Sequence, residues 1–262
     1  MDIILIYIVV GAIAGIIAGL LGVGGGLIIV PALTFIFVQN SFNNTIIVHL
    51  AIGTSLATII FTSISSIRAH HLHGAIQWFI VKQLVPGIVV GAILGAKIAD
   101  YLPTNTLKTI FAVFELLVAI QMALQLLPKN HQRIPSVMGL WGVGTVIGSV
   151  SSIIGIGGGT LTVPFLLWCR VSMRKAIATS SACGLPIAIA GSFGFLIVGL
   201  NNQELPDYST GYIYWPAFFG ITVASVLTAP IGAKLAHKLP VVMLQKMFSL
   251  LLLFLAVKMF MQ

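Results

Sequence analysis

The chain has 262 residues, of which 58% are hydrophobic and only 7% are Asp, Glu, Lys or Arg. A soluble domain carries about 25% charged residues, so this composition, with a mean hydropathy of +1.11, excludes a soluble enzyme, a nucleic-acid reader and a disordered chain. The net charge of +8 reads as loop bias in an all-α integral membrane protein, because the basic residues cluster between apolar runs and no basic stripe with interleaved aromatics exists.

Long apolar runs predict helices, since hydrocarbon leaves an open strand edge unsatisfied. In chain order they cover 3–22, 26–38, 45–68, 75–98 and 104–127, then 136–154, 159–168, 175–200, 212–233 and 240–260. Most reach the ~20 residues that cross a bilayer core. The runs 26–38 and 159–168 are too short to span alone, and each follows a glycine cluster. The first run lacks a basic n-region and a clear cleavage site, so it reads as a retained membrane segment. Cys169 and Cys183 fit neither a disulfide framework nor a metal-ligand spacing and read as small buried hydrophobes.

The chain repeats itself. Gly22-Val23-Gly24-Gly25-Gly26 with Pro31 recurs as Gly155-Ile156-Gly157-Gly158-Gly159 with Pro164, 133 positions later. Ala51-Ile52-Gly53-Thr54-Ser55 is answered by Ala176-Ile177-Ala178-Thr179-Ser180, Gly74 and Trp78 by Gly211 and Trp215, and Gly95-Ala96-Lys97 with Pro103 by Gly232-Ala233-Lys234 with Pro240. Matched blocks in one order predict a duplication, with membrane repeats at 1–130 and 131–262.

Basic residues bear on whether the repeats are parallel or inverted. If each glycine cluster turns a re-entrant hairpin, each half has three full spans and the second half is inverted. Arg68, Lys82, Lys129, Arg133, Arg170, Arg174, Lys175, Lys234, Lys238 and Lys246 then share one side against Lys97, Lys108 and Lys258, a split of 10 to 3. Asp2, Asp100, Glu204 and Asp207 fall on the second side. If each broken segment crosses once, the repeats are parallel and the split is 5 to 8. The inverted arrangement gives the cleaner asymmetry.

Paired breaks in a duplicated membrane chain are the pattern of secondary transporters. Glycine permits backbone angles that expose N–H groups, and a helix starting after the break adds its positive dipole end. Gly24, Gly25 and Gly26, with Gly157, Gly158 and Gly159, would thus form two concave donor sites for an anion; the alternative is that these glycines only permit close packing. Thr54, Ser55, Thr179 and Ser180, with Ser181 beside them, could donate to a substrate oxyanion without a buried charge, or could bond back to the preceding turn. Glu115 is the only acidic residue near the middle of a long apolar run, which marks it for ion coupling, unless it is protonated or bonded to Gln121 or Gln125. Its repeat counterpart is Leu252. His70, His71 and His73 beside Arg68 read as interfacial residues rather than a metal site, and Trp78 and Trp215 as interface anchors.

The twin elements Gly19-Leu20-Leu21-Gly22-Val23-Gly24-Gly25-Gly26 with Pro31, and Ser152-Ile153-Ile154-Gly155-Ile156-Gly157-Gly158-Gly159 with Pro164, plus Gly53-Thr54-Ser55, resemble the TauE/SafE sulfite-exporter family. The resemblance covers essentially the whole chain. It implies a multi-pass transporter of the cell (inner) membrane for small anions, typically sulfite or organosulfonates. The second half departs from the pattern with Ala178 in place of Gly53 and with Ser181-Ala182-Cys183 after its Thr-Ser pair. The expected function is alternating access, with the halves rocking around the anion; a passive anion channel is the alternative, and an intramembrane hydrolase lacks a nucleophile–base arrangement. Neither a phosphate-binding loop nor a metal or other cofactor motif is present, so no cofactor is expected. The expected partners are a small inorganic or organosulfur anion and membrane lipids, with no nucleic acid; homo-oligomerisation is left open.

Overall fold

The computed structural model describes residues 3–124, 134–238 and 241–261. Asp2, Gln125, Lys129, Arg133, Pro240 and the side chain of Lys238 lie outside the described residues, as does the expected boundary at 130/131. The chain is built of α1 (Ile3–Leu21), α2 (Gly26–Gln39), α3 (Ile47–Leu72), α4 (Trp78–Tyr101) and α5 (Thr104–Ala123). These are followed by α6 (Val137–Ile154), α7 (Gly159–Trp168), α8 (Met173–Gly199), α9 (Trp215–Lys238) and α10 (Val241–Met261). Among the described residues, α1, α3, α4, α5, α6, α8 and α9 are long and apolar enough to cross a membrane. The protein is an all-α multi-pass membrane protein.

Two helices begin later than the apolar runs predict. Gly74 (φ 61) and Gly211 (φ 53) each turn the chain in the left-handed region. The Ala75 N–H then returns to the His70 carbonyl, and the Tyr212 N–H to the Phe195 carbonyl. Three residues are used in each turn before α4 and α9 start at their tryptophans. Before α9 the turn also carries a short antiparallel hairpin, β1 (Ser209–Thr210) with β2 (Ile213–Tyr214), which hydropathy did not signal.

The two segments interlock rather than sit side by side. A Cβ on Gly11, Gly15 or Gly19 of α1 would run into Ile221, Ser225 or Ala229 of α9 respectively. In the same way Gly87, Gly91 and Gly95 of α4 bear on Trp141, Thr145 and Ser149 of α6. Positions rise together in both pairs, so α1 runs parallel to α9 and α4 to α6. Small residues allow such backbone-to-backbone approach. The central pair runs the opposite way. Ser66 of α3 meets Ser181 of α8, Ser63 lies beside Gly184, and Leu56 beside Gly191.

The two ends of the bundle differ in charge. At one end the Gln77 N–H reaches Thr179, near Arg174 and Lys175 on α8. There Arg68, His73 and Lys234 line a groove of about 510 Å³ between α3 and α9. At the other end Thr45 donates to Glu204, Thr104 donates to the Thr45 carbonyl, and Tyr212 donates to Asp100 at 3.3 Å. Burial first, and the Asp100 carboxylate beside it, push the Tyr212 phenol above its ordinary range, against the Asn202 amide. The phenol therefore stays protonated and donates.

Candidate functional site

Each glycine cluster ends a helix and starts another. α1 stops at Leu21, Gly22, Gly24 and Gly25 all have positive φ, and α2 begins on an N-cap glycine, Gly25, at φ 84 with no side-chain cap. α6 stops at a left-handed Gly155, and α7 begins on Gly158 at φ 75, again without a side-chain cap. The first amides of α2 and α7 are those that a helix start leaves without an intrahelical carbonyl.

The two breaks meet face to face. The Gly157 N–H donates to the Val23 carbonyl at 3.2 Å, and a Cβ on Gly24 would lie 2.9 Å from the Gly157 Cα. A Cβ on Gly26 would collide with the Gly155 carbonyl, and one on Gly159 with the Gly22 carbonyl. Close packing is thus a real requirement at Gly26 and Gly159, and it is packing of one break on the other.

The four predicted hydroxyls are fully buried and work in matched pairs, the serines against the breaks and the threonines against the chain entering α9 and α4. Thr54 Oγ1 accepts the Tyr214 N–H at 2.9 Å, and Thr179 Oγ1 accepts the Gln77 N–H at 3.0 Å. Ser55 donates to the Gly155 carbonyl at 2.9 Å. Ser180 faces the Gly22 carbonyl at 3.3 Å and bonds the Ile177 carbonyl at 2.8 Å. These side chains therefore staple α3 and α8 to the breaks and to the chain entering α9 and α4. Gly53 has its own reason to be glycine: a Cβ there would strike the Tyr212 carbonyl.

Glu115 stands apart. It is fully buried on α5, and among the described residues neither carboxyl oxygen has a hydrogen-bond partner; no bond to Gln121 forms. The histidines divide. His70, expected at the interface, is buried with Nε2 3.2 Å from the Gly19 carbonyl, which a residue without a side chain leaves open. His71 is exposed and accepts the Trp78 indole N–H at 3.4 Å, while His73 lines the groove with Arg68.

Sequence reasoning passed over two sets of hydroxyls. Thr62, Ser63 and Ser66 of α3, next to the already noted Ser181, line a narrow niche against Ala18 and Gly24 that has no room for a free water molecule. Ser151, Ser152, Thr160 and Thr162 flank the second break, buried and without hydrogen-bond partners among the described residues. Hydroxyls three and four apart along one face of an apolar helix are a legible signal for the first set. For the second set the signal is that the first half has Ala18, Gly19, Leu27 and Ile29 at the matching positions.

A multi-pass helical bundle with two opposed helix breaks buried at its centre is the architecture of a membrane transport protein. The sulfite exporter TauE/SafE family model matches residues 7–259, and the chain belongs to that family. It is 39% identical to a "Probable membrane transporter protein" of Haemophilus influenzae, covering 99% of this chain and 98% of that one. It is 28% identical to a protein of the same description from Methanocaldococcus jannaschii, covering 94% and 91% of the two chains. A "Probable membrane transporter protein YdhB" of Bacillus subtilis is 27% identical, over 92% and 94%. No solved structure matches the chain.

Proposed function

We propose that this membrane transporter is a secondary carrier for a small sulfur-containing anion, sulfite or an organosulfonate, working by alternating access in the cell membrane. The observation that carries the reading is the direct contact of the two breaks, Gly24 against Gly157, flanked by the paired hydroxyls of Ser55 and Ser180. Helix starts aimed at a shared centre favour negative charge, and no lysine or arginine is required there.

We further propose inverted repeats within residues 1–262. The antiparallel run of α3 against α8, with α1 parallel to α9 and α4 parallel to α6, supports that topology. So does the concentration of Arg68, Arg174, Lys175 and Lys234 toward one end, and of Asp100 and Glu204 toward the other. By the positive-inside rule the basic end is cytoplasmic. Glu115, buried without a partner among the described residues, is the group we propose for ion coupling.

Radiolabelled anion flux in proteoliposomes tests the reading. A carrier shows saturation and counterflow, whereas a channel shows neither. Undiminished flux in both Gly25→Val and Gly158→Val would remove the breaks from the mechanism.

A further inference from the structure

α3 and α9 pack against each other and run the same way. Thr62 meets Ser225 at 2.7 Å, and Ser65 donates to the Val226 carbonyl at 2.8 Å. The groove between them therefore has two unlike ends. Phe61 begins its wall on α3 and Val226 on α9; two turns further on, Arg68 and Lys234 close it at the basic end of the bundle. At 1.5 Å per residue the stretch from Phe61 to Arg68 runs about 10 Å along the helix. The groove opens beside a lipid-facing surface, since Val223, Leu227 and Ile231 of α9 are all exposed.

The middle of the groove has no polar group to spare. Pro230 lacks an N–H, so the Val226 carbonyl one turn earlier loses its helical donor. Ser65 supplies the replacement, and Ile64 and the proline ring face the groove as apolar wall. What is left over is charge. Arg68 and Lys234 are exposed, and no described acidic residue serves them. Asp100 and Glu204 lie at the other end of the bundle, and Asp207 shares the loop of Glu204 before β1. Glu115 has no partner among the described residues.

We propose that this groove binds an anionic phospholipid, with its phosphate at Arg68 and Lys234 and one acyl chain laid past Ile64, Val226 and Pro230 to Phe61. A small inorganic anion would use the two cations and leave the apolar wall bare. A zwitterionic lipid would use the wall but bring a cation of its own toward theirs. An anionic lipid uses both. Basic clefts between membrane helices on the cytoplasmic side take such head groups, and the orientation proposed above puts this end there. The groove, at about 510 Å³, has the size of a ligand site. Because α3 and α9 come from different segments of the chain, the bound lipid bridges the two. The inference needs a membrane around the protein and does not depend on which anion is carried.

Native mass spectrometry and thermal unfolding of the purified protein in detergent test it, with phosphatidylglycerol, phosphatidylcholine of the same acyl chains and glycerol phosphate as probes. Wild type should retain phosphatidylglycerol over phosphatidylcholine, unfold at a higher temperature with it, and ignore glycerol phosphate. Arg68→Gln and Lys234→Gln should each weaken phosphatidylglycerol binding roughly fivefold, the attraction of one basic residue for an anionic lipid. Both side chains are exposed, so both variants should unfold near the wild-type temperature without lipid. Ile64→Trp, which fills the groove and keeps both cations, should lose the lipid. Lys97→Gln, near Asp100 on α4, should bind as wild type does. Equal retention of the two lipids, or undiminished phosphatidylglycerol binding in both glutamine variants, overturns the proposal. Equal weakening in Lys97→Gln reduces the effect to diffuse attraction and also overturns it. Glycerol phosphate bound as tightly as the lipid would make this a free-phosphate site, and a wild-type dimer that Ile64→Trp breaks with lipid still retained would make it a surface for a second copy. Either result overturns the lipid site and leaves the transporter reading standing.

Discussion

Thr54 and Thr179 make one contact twice, from opposite halves of the chain. Each hydroxyl accepts the backbone N–H of the residue three positions beyond a left-handed glycine: Tyr214 after Gly211 at 2.9 Å, and Gln77 after Gly74 at 3.0 Å. Each thus ties α3 or α8 to the start of a helix in the other half. The contact is an acceptor's role, and it occupies a lone pair, which leaves the hydroxyl proton to other partners.

Replacing either threonine with valine keeps the shape and removes the acceptor. Thr54→Val and Thr179→Val should each destabilise the fold by about 1–2 kcal/mol, because a part-buried N–H loses its partner. Serine at either position should restore most of the loss. Thermal unfolding in detergent checks both, and equal stability of valine and threonine would show that the contact contributes nothing.

The junction itself should tolerate no methyl group. Gly26→Ala meets the Gly155 carbonyl and Gly159→Ala meets the Gly22 carbonyl, both backbone atoms that cannot rotate away. Each should lower stability by roughly 1–3 kcal/mol, the range for overpacked sites. Both should also depress flux. Wild-type unfolding temperatures in the two variants would contradict the closeness of the breaks.

Gly53 and Ala178 occupy matching positions, yet their substitutions should not match. Gly53→Ala drives a methyl group into the Tyr212 carbonyl, while Ala178→Gly only adds backbone freedom, at a cost of about 1 kcal/mol in a helix. Comparing the two unfolding temperatures tests whether the hairpin before α9 is what demands glycine here.

Glu115 presents a separable case. A buried carboxyl with neither oxygen bonded among the described residues costs stability. Leucine, the residue its counterpart Leu252 already uses, should therefore raise stability by about 1 kcal/mol or more. If Glu115 carries the coupling ion, Glu115→Leu should keep anion counterflow and lose accumulation driven by an imposed proton gradient. Retained gradient-driven accumulation would dismiss Glu115 from coupling.

The helices and their breaks were legible in the sequence because their signals are local. An apolar run long enough to cross lipid names a helix, and Gly24 or Gly157 inside such a run names an interruption. Repeats made the pairing of Thr54 with Thr179 visible as well. What each hydroxyl touches was not visible, since its partner is more than 100 residues away and is set by the turns at Gly74 and Gly211. His70 was misread for a similar reason. Beside Arg68 it looks interfacial, but the bare face of Gly19 lets its ring reach a carbonyl in the interior. The niche at Ser63 and Ser66 was overlooked because attention to what the halves share conceals what only one of them has.

The parallel seams of α1 on α9 and of α4 on α6 have a mechanical consequence. Gly11, Gly15 and Gly19 lock the opening helix of the first segment onto the second, and Gly87, Gly91 and Gly95 do the reverse. Pulling residues 1–124 away from 134–261 as bodies would unzip both seams and strip long glycine-lined faces of their neighbours. If transport proceeds by the alternating access proposed above, each moving body would be a composite of helices from both segments, and a hinge is better sought where such composites meet than in the middle of the chain.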